Sequence, residues 1–410
     1  MDSTINHTQP TLEDIKLARK RLQGITQETP LDASATFSAL TSNQIYLKLE
    51  NLQKTGSFKL RGAFNKIANL SEEERNRGVI AASAGNHAQG VAYAARYHGA
   101  PCTIVMPESA SLAKVAATQG YGAKVVLHGS TYDEAYAHAL ELKDKYSLTY
   151  VHAFDDPYIV AGQGTIGLEI LEQMPNVNAI LVPMGGGGLA GGIAIAVKSL
   201  RPDVKIYGIE ASASACFRYS LDVGHLEGVI PTPTIADGIA VGKPGQLTYN
   251  LALQYIDDVI TVEEEEISRA MVLLMERSKL VVEGSGAATL AAVLYKKIPD
   301  NLGNVVLVLS GGNVDVTVLS RIIEHGLIES GRYLRLAVTV SDRPGALRSI
   351  LDIFAALGAN VLTVSHRRLG SKILLGQTEI EIDLETKDHN HIETIYKTLR
   401  SKGYEPIRRD

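Results

Sequence analysis

At 410 residues the chain is too long for one ordinary hydrophobic core and implies two or three domains. Its 45% hydrophobic and 21% charged residues are the mix of a soluble globular protein, and a net charge of -5 argues against nucleic acid or an anionic membrane as partner. With only Cys102 and Cys216 there is no disulfide framework or thiolate metal site to expect.

The stretch Met1 to Pro10 is polar and lacks the apolar core of a signal peptide, and no apolar run reaches membrane-spanning length unbroken. A cytoplasmic protein is the expectation. Thr11 to Ile25 has apolar residues at helical spacing, with Thr11 and Glu13 as capping groups. Ile45 to Glu50 alternates as a strand and leads into the loop Gly56-Ser57-Phe58-Lys59-Leu60-Arg61-Gly62-Ala63. Strands over Val79 to Ala82, Cys102 to Met106 and Lys124 to Leu127 then alternate with helices over His87 to His98, Ser111 to Gln119 and Tyr132 to Tyr146. A second set follows. Its strands are Ala179 to Met184, Val204 to Ile209 and Asn304 to Leu309. Its helices are Leu189 to Leu200, Glu264 to Lys279, Gly286 to Lys297 and Val316 to His325, with an irregular connection over Ala211 to Pro244. This alternation predicts an α/β fold of two lobes, each with a parallel sheet between helices.

At Gly326 the pattern resets. Arg332 to Val340, Asn360 to Arg368 and Lys372 to Leu384 alternate as strands; Asp342-Arg343-Pro344-Gly345-Ala346-Leu347 opens a helix that runs to Leu357, and His391 to Lys402 is another. The order βαββα with a short tail is close to a ferredoxin-like α+β unit. The expected domains are 1–326, with a smaller lobe of about 50–150, and 331–410.

Four loops carry the chemistry. Besides the Lys59 loop they are Ser83 to Gln89, Gly185-Gly186-Gly187-Gly188-Leu189 and Ser310-Gly311-Gly312-Asn313, each placed after an apolar strand. Taken alone, Lys59 would be an ordinary solvated side chain. Beside three glycine-rich loops, a lysine on a tight turn suits a Schiff-base cofactor with a phosphate tail. Gly56 permits the turn, Ser57 is an expected helix cap and Phe58 an apolar anchor. Gly185 to Gly188 bring backbone N–H groups to a helix start, which suits a phosphate. A nucleotide P-loop is excluded because Leu189 and Ala190 stand where Lys and Ser/Thr belong, and a dinucleotide fingerprint lacks its acidic partner.

On these motifs the chain resembles the threonine ammonia-lyases (threonine dehydratases). These are fold-type II pyridoxal-phosphate enzymes with a tryptophan synthase β-like catalytic domain and, here, a C-terminal ACT domain. The resemblance implies pyridoxal 5'-phosphate as cofactor, with Lys59 the catalytic Schiff-base residue. Phe58, Asn86, Gly185, Gly186, Gly187, Gly188, Leu189 and Ser310 would hold the cofactor, Asn86 at its phenolic oxygen and Ser310 at its pyridine nitrogen. Ser83, Ala84, Gly85, Asn86 and His87 would clasp the substrate carboxylate. Serine racemases of this fold carry a serine where this chain has Ala84. Glu210 matches one ligand of a cation site in those relatives, but Cys216 replaces a carboxylate, so no metal is expected. The implied reaction is deamination of L-threonine to 2-oxobutanoate, and of L-serine to pyruvate. A serine racemase/dehydratase, a lyase for another β-hydroxy amino acid and a non-catalytic amino-acid sensor are the alternatives. Asp342, Gly345, Ala346, Leu347 and Asn360 would bind an amino-acid or nucleotide effector, with Asn360 within reach of the others in a ferredoxin-like arrangement. A homodimer or homotetramer is expected.

Overall fold

The computed structural model describes residues 9–368 and 374–409. Residues 1–8 of the polar N-terminal stretch, and Lys372 at the expected start of a strand, lie outside the described residues. The chain separates into two compact units, Met1–Asp315 and Val316–Asp410.

The strands of the first unit are β1 (Leu31–Ala33), β2 (Gln44–Lys48), β3 (Val79–Ala82), β4 (Cys102–Met106), β5 (Lys124–Leu127), β6 (Thr149–Tyr150), β7 (Ala179–Pro183), β8 (Lys205–Ala211), β9 (Asp258–Val262) and β10 (Asn304–Val308). One sheet runs β1-β2-β10-β7-β8-β9 and is parallel except for the pairing of β1 with β2. The smaller sheet, β5-β4-β3-β6, is parallel throughout. β7 and β3 are buried along their whole length, as expected of strands covered by helices on both faces.

The helix Pro157–Gln173 connects these layers. Asp156 caps it through the N–H groups of Tyr158 and Ile159, and Pro157 occupies its first turn. Ile159 through Ile170 is buried without a break. Gly162 and Gly164 let its neighbours approach closely: a Cβ on the first would lie 2.6 Å from the Arg61 carbonyl, and on the second 2.7 Å from that of Gly192. The helix is thereby held against both the Lys59–Ala68 helix and the helix Gly188–Leu200.

Local chemistry adjusts two of the expected helices. The first helix, Leu12–Leu22, is capped by a reciprocal Thr11–Asp14 pair in which Glu13 takes no part. The expected helix Glu264 to Lys279 is α-helical to Leu273 and then widens into a π-turn over Leu274–Ser278.

The second unit begins with the helix Val316–Glu329, which the sequence reading groups with the catalytic domain. There follow β11 (Tyr333–Ser341), the helix Ala346–Leu357, β12 (Asn360–Arg367), β13 (Gln377–Glu385), the helix His389–Ser401 and β14 (Pro406–Arg408). The short tail forms β14 and completes a βαββαβ unit, with antiparallel order β12-β13-β11-β14. Alternate residues Leu334, Leu336 and Val338, with Ile380, Ile382 and Leu384, bury one sheet face against Ile350, Phe354, Ile395 and Leu399. Among the described residues, no helix is long and apolar enough to cross a membrane.

Candidate active site

Lys59 is the first residue of the helix Lys59–Ala68. Gly56 enters the turn at φ 72°, and a Cβ there would lie 2.4 Å from Asn313 Oδ1, so conformation and space both require glycine. Ser57 is not the cap that its position suggests. No side chain caps this helix, and Ser57 Oγ is buried without a hydrogen-bond partner. The backbone is used instead: Ser57 bridges to Gly311, and the Phe58 N–H donates to the Ser310 carbonyl at 3.1 Å. These contacts lay the loop after β10 against the lysine.

The half-buried Lys59 Nζ donates to the Ala153 carbonyl at 3.0 Å and sits 5.2 Å from the centre of the Phe58 ring. Burial pushes its pKa down to about 8, against an opposing pull from Glu283. A usable fraction of neutral, nucleophilic amine therefore exists near neutral pH.

Gly185 to Gly188 join β7 to the helix Gly188–Leu200, with Gly187 at φ 83°. A Cβ on Gly186 would fall 2.2 Å from the Phe154 ring, and one on Gly187 2.5 Å from the Phe217 ring. The N–H groups of Gly188, Leu189 and Ala190 open the helix and have no partner within it, a set of donors that suits an anion.

Asn86 begins the helix Asn86–Tyr97, after a turn in which Ser83 Oγ accepts the Gly85 N–H at 3.2 Å. Its amide is held on both sides, by Glu283 and by Asn313. His87 is buried with Nε2 2.8 Å from the Val151 carbonyl, and burial, with the nearby Lys59 charge, pushes its pKa down to about 3. It is a neutral donor and not a base. Ser310 is buried beside the Lys59 loop. The depressed amine, the amide at a helix start, the buried Ser57 and Ser310 hydroxyls and the glycine cup together fit pyridoxal 5'-phosphate.

Glu210 has a different task. Its carboxylate accepts the N–H groups of Phe217 at 2.9 Å and Arg218 at 2.8 Å, the start of the helix Cys216–Val223. Cys216 Sγ lies 3.9 Å from the Gly185 carbonyl. Among the described residues, no group of three or more His, Cys, Asp or Glu side chains is arranged to hold a metal.

In the second unit, Gly345, at φ 91°, opens the helix Ala346–Leu357, and Asp342 accepts from Arg368 at 3.0 Å. Asn360 is not within reach of them in one chain. The Asp342 N–H bonds Gly376 beside Gln377, whereas Asn360 pairs with Glu385 at the other end of β13. Eight strand residues separate the two places, about 26 Å. The helix returns the chain to the end where β11 began, so β12 starts far from the turn at Asp342.

Residues 22–311 match the family described as Pyridoxal-phosphate dependent enzyme, and residues 334–403 match the ACT domain. An L-threonine ammonia-lyase of Thermotoga maritima is 51% identical over 96% of this chain and 98% of its own. The chain belongs to the pyridoxal-phosphate-dependent threonine ammonia-lyase family. Among solved structures, threonine deaminase isoform 2 of Solanum lycopersicum, in processed form, superposes with a TM-score of 0.71 at 37% identity, covering 77% of this chain and 94% of that one. A serine racemase from Dictyostelium discoideum gives 0.71 at 40% identity, covering 75% and 99%.

Some residues of this threonine ammonia-lyase family site escape motif reading. Phe154 walls the glycine cup, Ala153 receives the lysine amine, and Glu283 holds Asn86 together with Asn313 of the last glycine-rich loop. Of these three, Glu283 left a local trace: it is an acidic residue between Val281-Val282 and Gly284-Ser285-Gly286, where apolar neighbours mark burial.

Proposed function

We infer that this chain deaminates L-threonine to 2-oxobutanoate and ammonia, and L-serine to pyruvate, with pyridoxal 5'-phosphate held at Lys59. The observation that carries the reading is the depressed, half-buried Lys59 amine at the meeting point of the glycine loops. When bound, the cofactor supplies an electron-withdrawing ring that holds the substrate amine and acidifies its α-hydrogen. Lys59, displaced by that amine, takes the α-proton as general base. The helix start at Asn86 and the turn Ser83 to Gly85 receive the substrate carboxylate, with His87 a neutral support. Gly185 to Gly188 and Leu189 would hold the phosphate, with Phe58 beside the ring and Asn86 at its phenolic oxygen.

Ser310 decides how the electrons leave. Its hydroxyl would bond a neutral pyridine nitrogen but would not balance a positive one as a carboxylate would, which favours prompt loss of the β-hydroxyl. Elimination releases water, and hydrolysis of the resulting enamine consumes water and frees ammonia. Ala84 offers a methyl where a racemase needs an acid/base, which supports elimination over racemisation.

The ACT domain (within the proposed boundaries 331–410) is read as an effector site using Asp342, Gly345, Ala346, Leu347 and Asn360. Because Asn360 stands at the far end of the sheet, a site using all five draws them from two chains, which supports a homodimer or homotetramer. Product analysis tests the catalytic reading: 2-oxobutanoate and ammonia should form in equal amounts from L-threonine. Formation of D-serine from L-serine as fast as pyruvate would overturn it.

A further inference from the structure

We propose that Glu283 is a positioning residue that holds the Asn86 amide as a hydrogen-bond donor toward the cofactor ring, through a relay running Glu283–Asn86–Asn313–Thr55. This deepens the site described above and depends on the reading of Asn86 as a cofactor-facing residue.

The relay is specified atom by atom. Asn86 Nδ2 donates to Glu283 Oε1 at 2.7 Å, and Asn86 Oδ1 accepts from Asn313 Nδ2 at 2.8 Å. Asn313 Nδ2 also donates to the Thr55 carbonyl at 2.8 Å. A carboxylate only accepts, so it turns the NH2 end of Asn86 toward itself, and Asn313 holds the oxygen end on the other side. The amide cannot flip without losing both bonds. One N–H of Asn86 is left over, and it is the one available to a ring oxygen.

Backbone contacts fasten the same loops. The Glu283 N–H donates to the Gly311 carbonyl at 3.0 Å, and the Gly312 N–H to the Gly56 carbonyl at 2.9 Å. The glycines make room for the relay itself. A Cβ on Gly311 would lie 2.4 Å from Glu283 Oε1, and one on Gly56 2.4 Å from Asn313 Oδ1. Glycines that the motifs assign to cofactor loops thus also leave space for the positioning side chains.

Helix capping does not explain Glu283. It precedes the helix Gly284–Leu294 but makes no side-chain cap bond. It is only 4% exposed, and a buried carboxyl costs stability unless partners compensate. The charged groups facing it are Lys59, Lys114 from the helix Leu112–Gly120, and Asp237, which is tied to Lys114 at 2.7 Å. Burial chiefly, with Asp237 adding, pushes its pKa up to about 7, while Asn86, Lys114 and the Asn313 backbone pull the other way. Protonation in the working range would convert an obligate acceptor into a group that can also donate, and loosen its hold on Asn86.

The test uses full-length holoenzyme and the variants E283A, E283Q, N86A and E283A/N86A. The readouts are the pyridoxal phosphate Kd, the pH midpoint of the bound cofactor's visible absorbance, and kcat. E283A should weaken cofactor binding about tenfold, the size of effect seen when an orienting partner is lost. E283Q keeps an acceptor without the charge, and should weaken binding by only about threefold while removing the titration of Glu283 from the pH profile of the absorbance. In the N86A background, adding E283A should change Kd by less than about twofold, because partners in one network are not additive. Equal effects of E283A in both backgrounds would overturn the proposal, as would lower thermal stability with unchanged Kd and midpoint. If N86A weakens binding but E283A and E283Q do not, Glu283 alone fails. If N86A also leaves Kd and absorbance unchanged, the reading of Asn86 falls with it.

Discussion

Arg61 grips Glu50 with two N–H groups, Nε at 2.9 Å and Nη2 at 2.7 Å, across the loop that carries Lys59. Glu169 takes the remaining face of the guanidinium and also the Lys48 ammonium at 2.7 Å. All four side chains are buried, so the ends of the lysine loop are fixed to the helix Pro157–Gln173 and to β2.

Truncating Arg61 to Ala leaves two buried carboxylates facing one ammonium, and should cost about 3–5 kcal/mol in denaturant unfolding. The pH dependence follows in sign. Burial pushes the Glu50 carboxyl up, but the Arg61 and Lys48 charges and the Arg61 hydrogen bonds more than offset it, so its pKa is below the ordinary value. That contribution is present above the unfolded carboxyl's pKa of about 4.3 and is lost as pH falls below it. Wild type should therefore lose thermal stability on acidification below that pH, and R61A should lose less. Parallel acid limbs would contradict this.

Gly186→Ala places a methyl where the Phe154 ring stands. Overpacking of this kind costs about 1–3 kcal/mol, here as weaker cofactor binding of about ten- to hundredfold. Equilibrium titration with pyridoxal phosphate measures it. A second change, Phe154→Leu, should recover part of the loss; no recovery would mean that the cup is disturbed in another way.

Ala84→Ser restores a hydroxyl to the loop that receives the substrate. Chiral chromatography of L-serine incubations should show D-serine rising relative to pyruvate, by about tenfold or more if a positioned acid/base is gained. An unchanged ratio would show that Ala84 does not face the substrate.

The effector reading makes a separate demand on the intact enzyme. At least one of the branched-chain amino acids, threonine, serine or the nucleotides should move the threonine saturation curve by about 1–3 kcal/mol of coupling. No response to any of them would leave the ACT domain an assembly module.

What could be read from the sequence follows from how local each signal is. β3, β4 and β5 stand where alternation and glycine punctuation place them, because their limits are set by adjacent residues. The helix Pro157–Gln173 is buried from Ile159 through Ile170, its polar Thr165 and Glu169 turned to the buried Arg61, so no solvated face marks its period in the sequence. Ser57 looks like a cap but is diverted into a bridge with Gly311, a partner far along the chain. Asn86 stands in a motif loop, where the family resemblance draws attention to it, whereas Glu283, 197 positions away, becomes its partner only through the fold. The place of Asn360 departs from the expectation for a related reason: the end of the sheet at which a strand starts depends on how far the preceding helix carries the chain back.

The proposed function stands or falls on Lys59 as the residue that carries the cofactor. Borohydride reduction of the holoenzyme, followed by proteolysis and peptide mass spectrometry, tests it directly. The pyridoxyl group should be found on Lys59, with the visible absorbance lost on reduction and absent in Lys59→Ala. A pyridoxyl group on Lys48, Lys54 or Lys66 would contradict it.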